Sequence, residues 1–372
     1  MTRDARSRGM LGRMREATRL TRAGRLRDAT AVIQRTLRGA EGDDRHTRPT
    51  ATDAPTRVHS TIVRIDRTER TARAERTDGT LMTPSGPATI AGGRFVDGSL
   101  TTAAGARSYK VFVPGAPPPT AMPLVVMLHG CTQDADDFAT GTRMNALAER
   151  HGIVIVYPEQ SRQANPSRCW NWFDPADQRR DRGEPSIVAD IARNVMASAH
   201  VDPGRVHVAG MSAGGAMAAI MGAVYPDLFA AVGVHSGLAH GAATDLSSAL
   251  QAMKHGAAGP LTAGSGAPTI TFHGDRDRTV HRRNAEQVLQ QATAHVPHPL
   301  LTVHERTGAG DRDATRYVYR APDGTALAEG WAIHGLGHAW SGGDPAGSHT
   351  DPNGPDASAE ILRFFAEHPH RR

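Results

Sequence analysis

Val206-His207-Val208-Ala209 runs into Gly210-Met211-Ser212-Ala213-Gly214, and Ala216-Met217-Ala218-Ala219-Ile220-Met221 follows. The first run is apolar and short, as a buried strand would be; the last is rich in alanine and methionine, as a helix would be. Between them a serine stands with a glycine two positions away on each side. At such a junction the chain reverses within a few residues. Glycines lack a Cβ, so strand and helix can approach closely there, and Ser212 is expected to take a strained backbone conformation that lifts its hydroxyl above the sheet. The N-terminus of the following helix then points a partial positive charge at that hydroxyl. The bare pattern also fits a structural glycine turn, so the reading depends on what else the chain supplies.

With its strand-turn-helix context, the stretch resembles the nucleophile elbow of an α/β-hydrolase, in which the serine is followed along the chain by an acid and then a histidine. Thr269-Ile270-Thr271-Phe272 reads as a strand and ends in His273-Gly274-Asp275-Arg276-Asp277-Arg278-Thr279-Val280. A site residue belongs just past the C-terminal end of a parallel strand. Two carboxylates compete there. Asp277 clears the strand end and is taken as the acid; Asp275 is read as a brace for the turn. Further on, Gly335-Leu336-Gly337-His338-Ala339-Trp340-Ser341-Gly342-Gly343 places a histidine among glycines. His338 is taken as the general base that would accept the Ser212 proton. His334 is its nearest rival, read as a strand residue. His235, at the end of the run Ala230-Ala231-Val232-Gly233-Val234, is expected to be structural.

An oxyanion site is expected after the first long strand. Pro123-Leu124-Val125-Val126-Met127-Leu128 enters His129-Gly130-Cys131-Thr132-Gln133, an H-G-x motif that supplies one backbone amide, the second coming from the residue after the nucleophile. The donors would be the amides of Cys131 and Ala213. Trp170, Trp172 and Trp340 fall in loops over the same edge, where aromatic faces would suit an apolar acyl chain or a phenolic ring; packing is the other reading. Gln133 and Asn171 are candidates for orienting the ester. Cys131 and Cys169 are the only cysteines. They would either form one bridge across the cleft or remain separate thiols. Neither has a ligand-spaced partner, so no metal is expected, and no cofactor is called for.

Charge is unevenly spread. Residues 1–80 hold 19 Arg, no Lys and 11 acids, a net of +8, whereas the whole chain is +5. The remainder is therefore acidic, which argues against nucleic-acid binding by the main domain and leaves only the basic segment as a tether. No apolar run is long enough for a membrane span. No apolar stretch follows the basic N-terminus, so no secretory signal is visible and a cytoplasmic location is expected on that ground.

Residues 1–40 are read as an amphipathic helical leader, 41–86 as a flexible linker interrupted by Ile62-Val63-Arg64-Ile65, and 87–372 as the catalytic domain. Within the last, strands are expected at 124–128, 153–157, 205–210, 229–234 and 268–272. Helices are expected at 137–150, 187–199 with Ser186 as cap, 213–224, 245–255, 282–294 and 357–367. Such alternation, with near-continuous apolar strands, means an α/β fold with a mostly parallel sheet covered on both faces.

His129-Gly130-Cys131-Thr132-Gln133, Tyr157-Pro158-Glu159-Gln160, Cys169-Trp170-Asn171-Trp172-Phe173, Gly183-Glu184-Pro185-Ser186 and Ala209-Gly210-Met211-Ser212-Ala213-Gly214-Gly215 occur in that order over about residues 95–345. Together they resemble the polyhydroxybutyrate depolymerase family of esterases, whose relatives include feruloyl and acetylxylan esterases. The resemblance implies a catalytic Ser212, Asp277 and His338 and an ester or polyester substrate. It also implies an extracellular setting, since many members are secreted. Alternatives are a feruloyl- or acetylxylan-type carbohydrate esterase, or a non-catalytic binding module on the same scaffold.

Overall fold

The computed structural model describes residues 60–62, 92–261, 264, 266–306 and 312–370. All of them lie in one compact unit, Val58–Arg372. The expected helical leader at 1–40 falls outside the described residues, as does most of the expected linker. In chain order the strands are β1 (Ser60–Ile62), β2 (Arg94–Thr102), β3 (Gly105–Val113), β4 (Met122–Leu128), β5 (Val154–Pro158), β6 (Val201–Met211), β7 (Ala231–His235), β8 (Thr269–Gly274), β9 (Leu300–Arg306), β10 (Ala314–Arg320), β11 (Ala326–Ile333), β12 (Trp340–Ser341) and β13 (Thr350–Asp351). The helices are α1 (Ala135–Thr142), α2 (Met144–His151), α3 (Gly183–Ser198), α4 (Ala213–Val224), α5 (Leu246–His255), α6 (Arg283–Thr293) and α7 (Ala357–Glu367).

The main sheet runs β1-β9-β10-β11-β8-β7-β6-β4-β5-β3-β2. From β11 to β5 every neighbouring pair is parallel. Antiparallel strands flank this centre on both sides. At one end β1 pairs in parallel with β9, so three residues of the stretch read as a linker are strand.

Period-two alternation sorts the side chains of β4. Leu124, Val126 and Leu128 enter one apolar core with α3, α4 and α5; Val125 and Met127 enter the other with α1, α2 and α7. A strand buried on both faces must be apolar at every position, which is why β4 reads as an unbroken run. The architecture is the α/β-hydrolase fold, with the carboxyl ends of the parallel strands at one edge. Among the described residues no helix is long and apolar enough to cross a membrane.

Two helix expectations are corrected. The single helix expected at 137–150 is two, α1 and α2, separated by Arg143 in the left-handed region at φ 54°. The break lets Arg143 Nη2 donate to the Gly342 carbonyl at 2.6 Å, while the Asp344 amide reaches the Gly141 carbonyl at 2.8 Å. Both partners lie some two hundred positions away, outside any local pattern. Ser186 does not cap α3, which begins at Gly183. Its hydroxyl donates to the Gly183 carbonyl at 2.8 Å, and the cap comes from Asp177, whose carboxylate accepts the Glu184 amide at 2.6 Å.

Candidate active site

Ser212 is the single residue between β6 and α4, at φ 55° and ψ −119°. A non-glycine residue held there costs on the order of 1–3 kcal/mol, so its surroundings must impose it. The Ser212 amide donates to the His235 carbonyl at 2.9 Å, and the Ala216 amide donates to the Ser212 carbonyl at 2.9 Å. Glycine is required on both sides: a Cβ on Gly214 would strike the Leu128 carbonyl, and one on Gly210 would strike the Gly214 carbonyl. Among the described residues the Ser212 hydroxyl makes no hydrogen bond. In an unliganded hydrolase this does not bar a base from reaching it, because such contacts commonly tighten only on substrate binding.

Asp277 lies in the turn that follows β8. Its Oδ1 accepts the Thr279 and Val280 amides at 2.8 and 2.9 Å, and its Oδ2 accepts from His338 Nδ1 at 2.7 Å. The Asp277 side chain is fully buried and that of His338 is 15% exposed. Burial pushes the Asp277 carboxyl up. The hydrogen bond and charge of His338, with the Val280 amide, outweigh this and hold it below its ordinary value. The rival residues pair with each other. Asp275 Oδ2 meets His334 Nδ1 at 3.0 Å, Asp275 Oδ1 accepts the Gly335 amide at 2.7 Å, and this pair is largely solvent-facing.

In the loop after β4 three amides have acceptors among the described residues. Gly130 N donates to Gln133 Oε1 at 2.9 Å, Thr132 N to the Ser167 carbonyl at 2.7 Å, and Gln133 N to the Gly130 carbonyl at 3.3 Å. Among the described residues the Cys131 amide has no acceptor, and neither has the Ala213 amide at the uncapped start of α4. The loop lies against the serine: a Cβ built on Gly130 would stand 3.6 Å from Ser212 Cβ. His129 is buried, and burial pushes its pKa down to about 4, so it stays neutral. Its Nε2 accepts the Gln160 amide at 3.0 Å.

Cys131 and Cys169 are joined by a disulfide. Around it the other expected substrate contacts are spent on holding loops. Trp170 is buried and donates Nε1 to the His129 carbonyl at 3.2 Å. Trp172 is buried in the same core as α3. Trp340 is buried in the opposite core, donating to Ser358 Oγ at 3.1 Å and packing edge-on against Phe138. The aromatic faces expected in the cleft are thus turned into the protein. Gln133 Nε2 reaches Asp137 Oδ2 at 2.9 Å and the Ser348 carbonyl at 3.2 Å. Asn171 donates its amide and Nδ2 to Glu184 at 2.7 and 2.8 Å and accepts from Asn165 at 2.9 Å. Both side-chain amides are thus engaged in holding loops together. Large aromatic and amide side chains near a site have the same sequence signature whether they face the ligand or support its walls.

Glu184, in the Gly183-Glu184-Pro185-Ser186 stretch, is the centre of a further buried network. It is buried and also takes hydrogen bonds from Gln160 and, at 3.5 Å, from Arg107. Burial, with the neighbouring Asp177 charge, pushes its carboxyl up to about 7 against those donors. The fold therefore favours the protonated form. That contribution is complete below the ordinary value of 4.5 and is lost as pH rises through about 7. The shift corresponds to on the order of 3 kcal/mol. Glu184→Gln removes this titration. The stability advantage of wild type over E184Q is expected to shrink between pH 4.5 and 7, as followed by denaturant melts. A difference independent of pH would contradict the assignment.

Residues 107–312, more than half of the chain, match the esterase PHB depolymerase family. The chain is 36% identical over 241 residues to poly(3-hydroxyalkanoate) depolymerase C of Paucimonas lemoignei, an overlap of 61% of this chain and 56% of that protein. It is 36% identical over 118 residues to feruloyl esterase B of Neurospora crassa, covering 32% of this chain and 39% of that one. The chain thus spans about half or less of these relatives. A solved acetyl xylan esterase from Aspergillus awamori superposes with a TM-score of 0.54 at 19% identity, covering 73% of this chain and 99% of that one, a likeness of fold alone. By the family match, which takes in the elbow, the acid turn and the disulfide loop, the chain is a member of the esterase PHB depolymerase family.

Proposed function

We propose that the chain is a serine carboxylic-ester hydrolase that works through an acyl-enzyme, on short-chain polyhydroxyalkanoate polymer or oligomers. The buried Asp277–His338 contact of 2.7 Å carries the reading. An ionised carboxylate on Nδ1 fixes the proton there and leaves Nε2 as a base. In the proposed cycle Ser212 Oγ attacks the ester carbonyl and its proton passes to His338 Nε2. The Cys131 and Ala213 amides hold the oxyanion, and His338 returns the proton to the departing alcohol. Water, deprotonated by His338, then attacks the acyl carbon; the bond to Ser212 Oγ breaks, His338 returns its proton to that oxygen, and the acid is released. Each oxyanion donor is worth about 3 kcal/mol of transition-state stabilisation.

The polyester substrate is favoured by the likeness to the Paucimonas depolymerase. The likeness to feruloyl and acetylxylan esterases favours a second reading, a carbohydrate-linked phenolic or acetyl ester. Side-by-side assays on amorphous polyhydroxybutyrate, short-chain aryl esters and methyl ferulate separate the two. Release of hydroxybutyrate is the expected result; turnover of methyl ferulate alone would select the second. A serine-directed fluorophosphonate should label the protein. Inertness to it would favour the non-catalytic binder. The Cys131–Cys169 bridge supports an oxidising, extracellular compartment.

A further inference from the structure

His235 and His273 end the adjacent parallel strands β7 and β8, and both are buried. Neither belongs to the proposed proton path, yet each touches a loop that carries a member of it. The His235 carbonyl accepts the Ser212 amide at 2.9 Å. Its ring Nε2 accepts the Ser341 amide at 3.0 Å, three residues beyond His338. One residue thus ties the serine elbow to the loop that carries the histidine. Its ring is sandwiched by Trp340, at 4.9 Å between centroids, and Phe272, at 5.8 Å.

His273 makes the complementary contact. Its Nε2 lies 2.7 Å from the Val280 carbonyl and 3.6 Å from Asp277 Oδ2. The Val280 amide in turn donates to Asp277 Oδ1. The ring therefore holds the acid turn through the Val280 carbonyl, beside the Asp277 carboxylate. Its Nδ1 is buried without a partner among the described residues.

Partner chemistry decides the protons. A backbone amide only donates, so His235 Nε2 must be bare, with the proton on Nδ1 facing Ser236 Oγ at 3.2 Å. A carbonyl only accepts, so His273 Nε2 must carry the proton. Burial pushes both pKa values down, which keeps the rings neutral.

From this geometry we infer that His235 and His273 are positioning residues, held in opposite tautomers, that set the His338 loop and the Asp277 turn in register with the Ser212 elbow. This rests on the reading of Ser212, Asp277 and His338 as the catalytic set. Displacing a catalytic group by an ångström costs about a hundredfold in rate. His235→Phe keeps the stacking and removes the acceptor. It is expected to lower kcat on nitrophenyl butyrate by about tenfold to a hundredfold with KM little changed. His235→Gln, whose Oε1 can accept the Ser341 amide, should recover most of the loss. His273→Gln, whose Nε2 can still donate to the Val280 carbonyl, should likewise outperform His273→Leu.

NMR of isotope-labelled histidine in wild type provides a readout independent of turnover. It should show Nδ1–H for His235 and Nε2–H for His273. Wild-type turnover in H235F, equal impairment of folded H235F and H235Q, or the reverse tautomers would each overturn the inference. An inactive wild type with the stated tautomers would instead count against the catalytic reading, so the two failures are distinguishable.

Discussion

Ser212→Ala is expected to lower kcat on nitrophenyl butyrate by roughly a million-fold, to the residual level left by substrate binding and oxyanion contacts. The drop is large because, in the proposed cycle, the Ser212 hydroxyl is the group that forms the acyl bond. The first amides of α4 and the Cys131 amide can polarise a carbonyl but cannot form a bond to it. The fold should survive. The Ser212 hydroxyl supports no hydrogen bond among the described residues, and its backbone contacts to His235 and Ala216 do not need the side chain. Thermal melts of S212A should match wild type while turnover vanishes. Turnover within tenfold of wild type would assign the nucleophile elsewhere.

Asp277→Asn is expected to cost about ten-thousandfold in kcat while leaving the turn folded. The Asn Oδ1 can still accept the Thr279 and Val280 amides that now bond Asp277 Oδ1. The change acts at the other atom. An Asn Nδ2 in place of Oδ2 donates to His338 Nδ1 and forces the proton onto Nε2, the atom that must accept from serine. The comparison variant Asp275→Asn should lose little activity. Its pairing with His334 and Gly335 lies at the surface. Equal losses in D277N and D275N would mean that the acid turn matters only as structure.

The candidate catalytic residues could be proposed from the sequence because each sits on a local signal. Ser212 lies between glycines at a strand end, Asp277 just past a strand, and His338 in a glycine-rich loop. In the sequence Asp277 differs from Asp275 by lying further past the end of β8. Other features depend on partners far along the chain. The break at Arg143 serves Gly342 and Asp344, and Gln133 turns toward Ser348. The three tryptophans turn into the protein because His129, Ser358 and the cores offer partners that no window around residues 170 or 340 contains. His235 was read as structural from its buried strand. That reading holds for the ring's packing, but it misses the Ser341 amide, which arrives more than a hundred residues later.

The most direct test is rapid acid quench of wild type during the first turnovers of nitrophenyl butyrate, followed by peptide mass analysis. The butyryl increment is expected on the peptide containing Ser212, at a stoichiometry that follows the nitrophenol burst, and stabilised in variants slow to deacylate. A burst with the increment on another residue, or steady turnover with no acyl-protein and no loss in S212A, would contradict the assignment of Ser212 as the nucleophile.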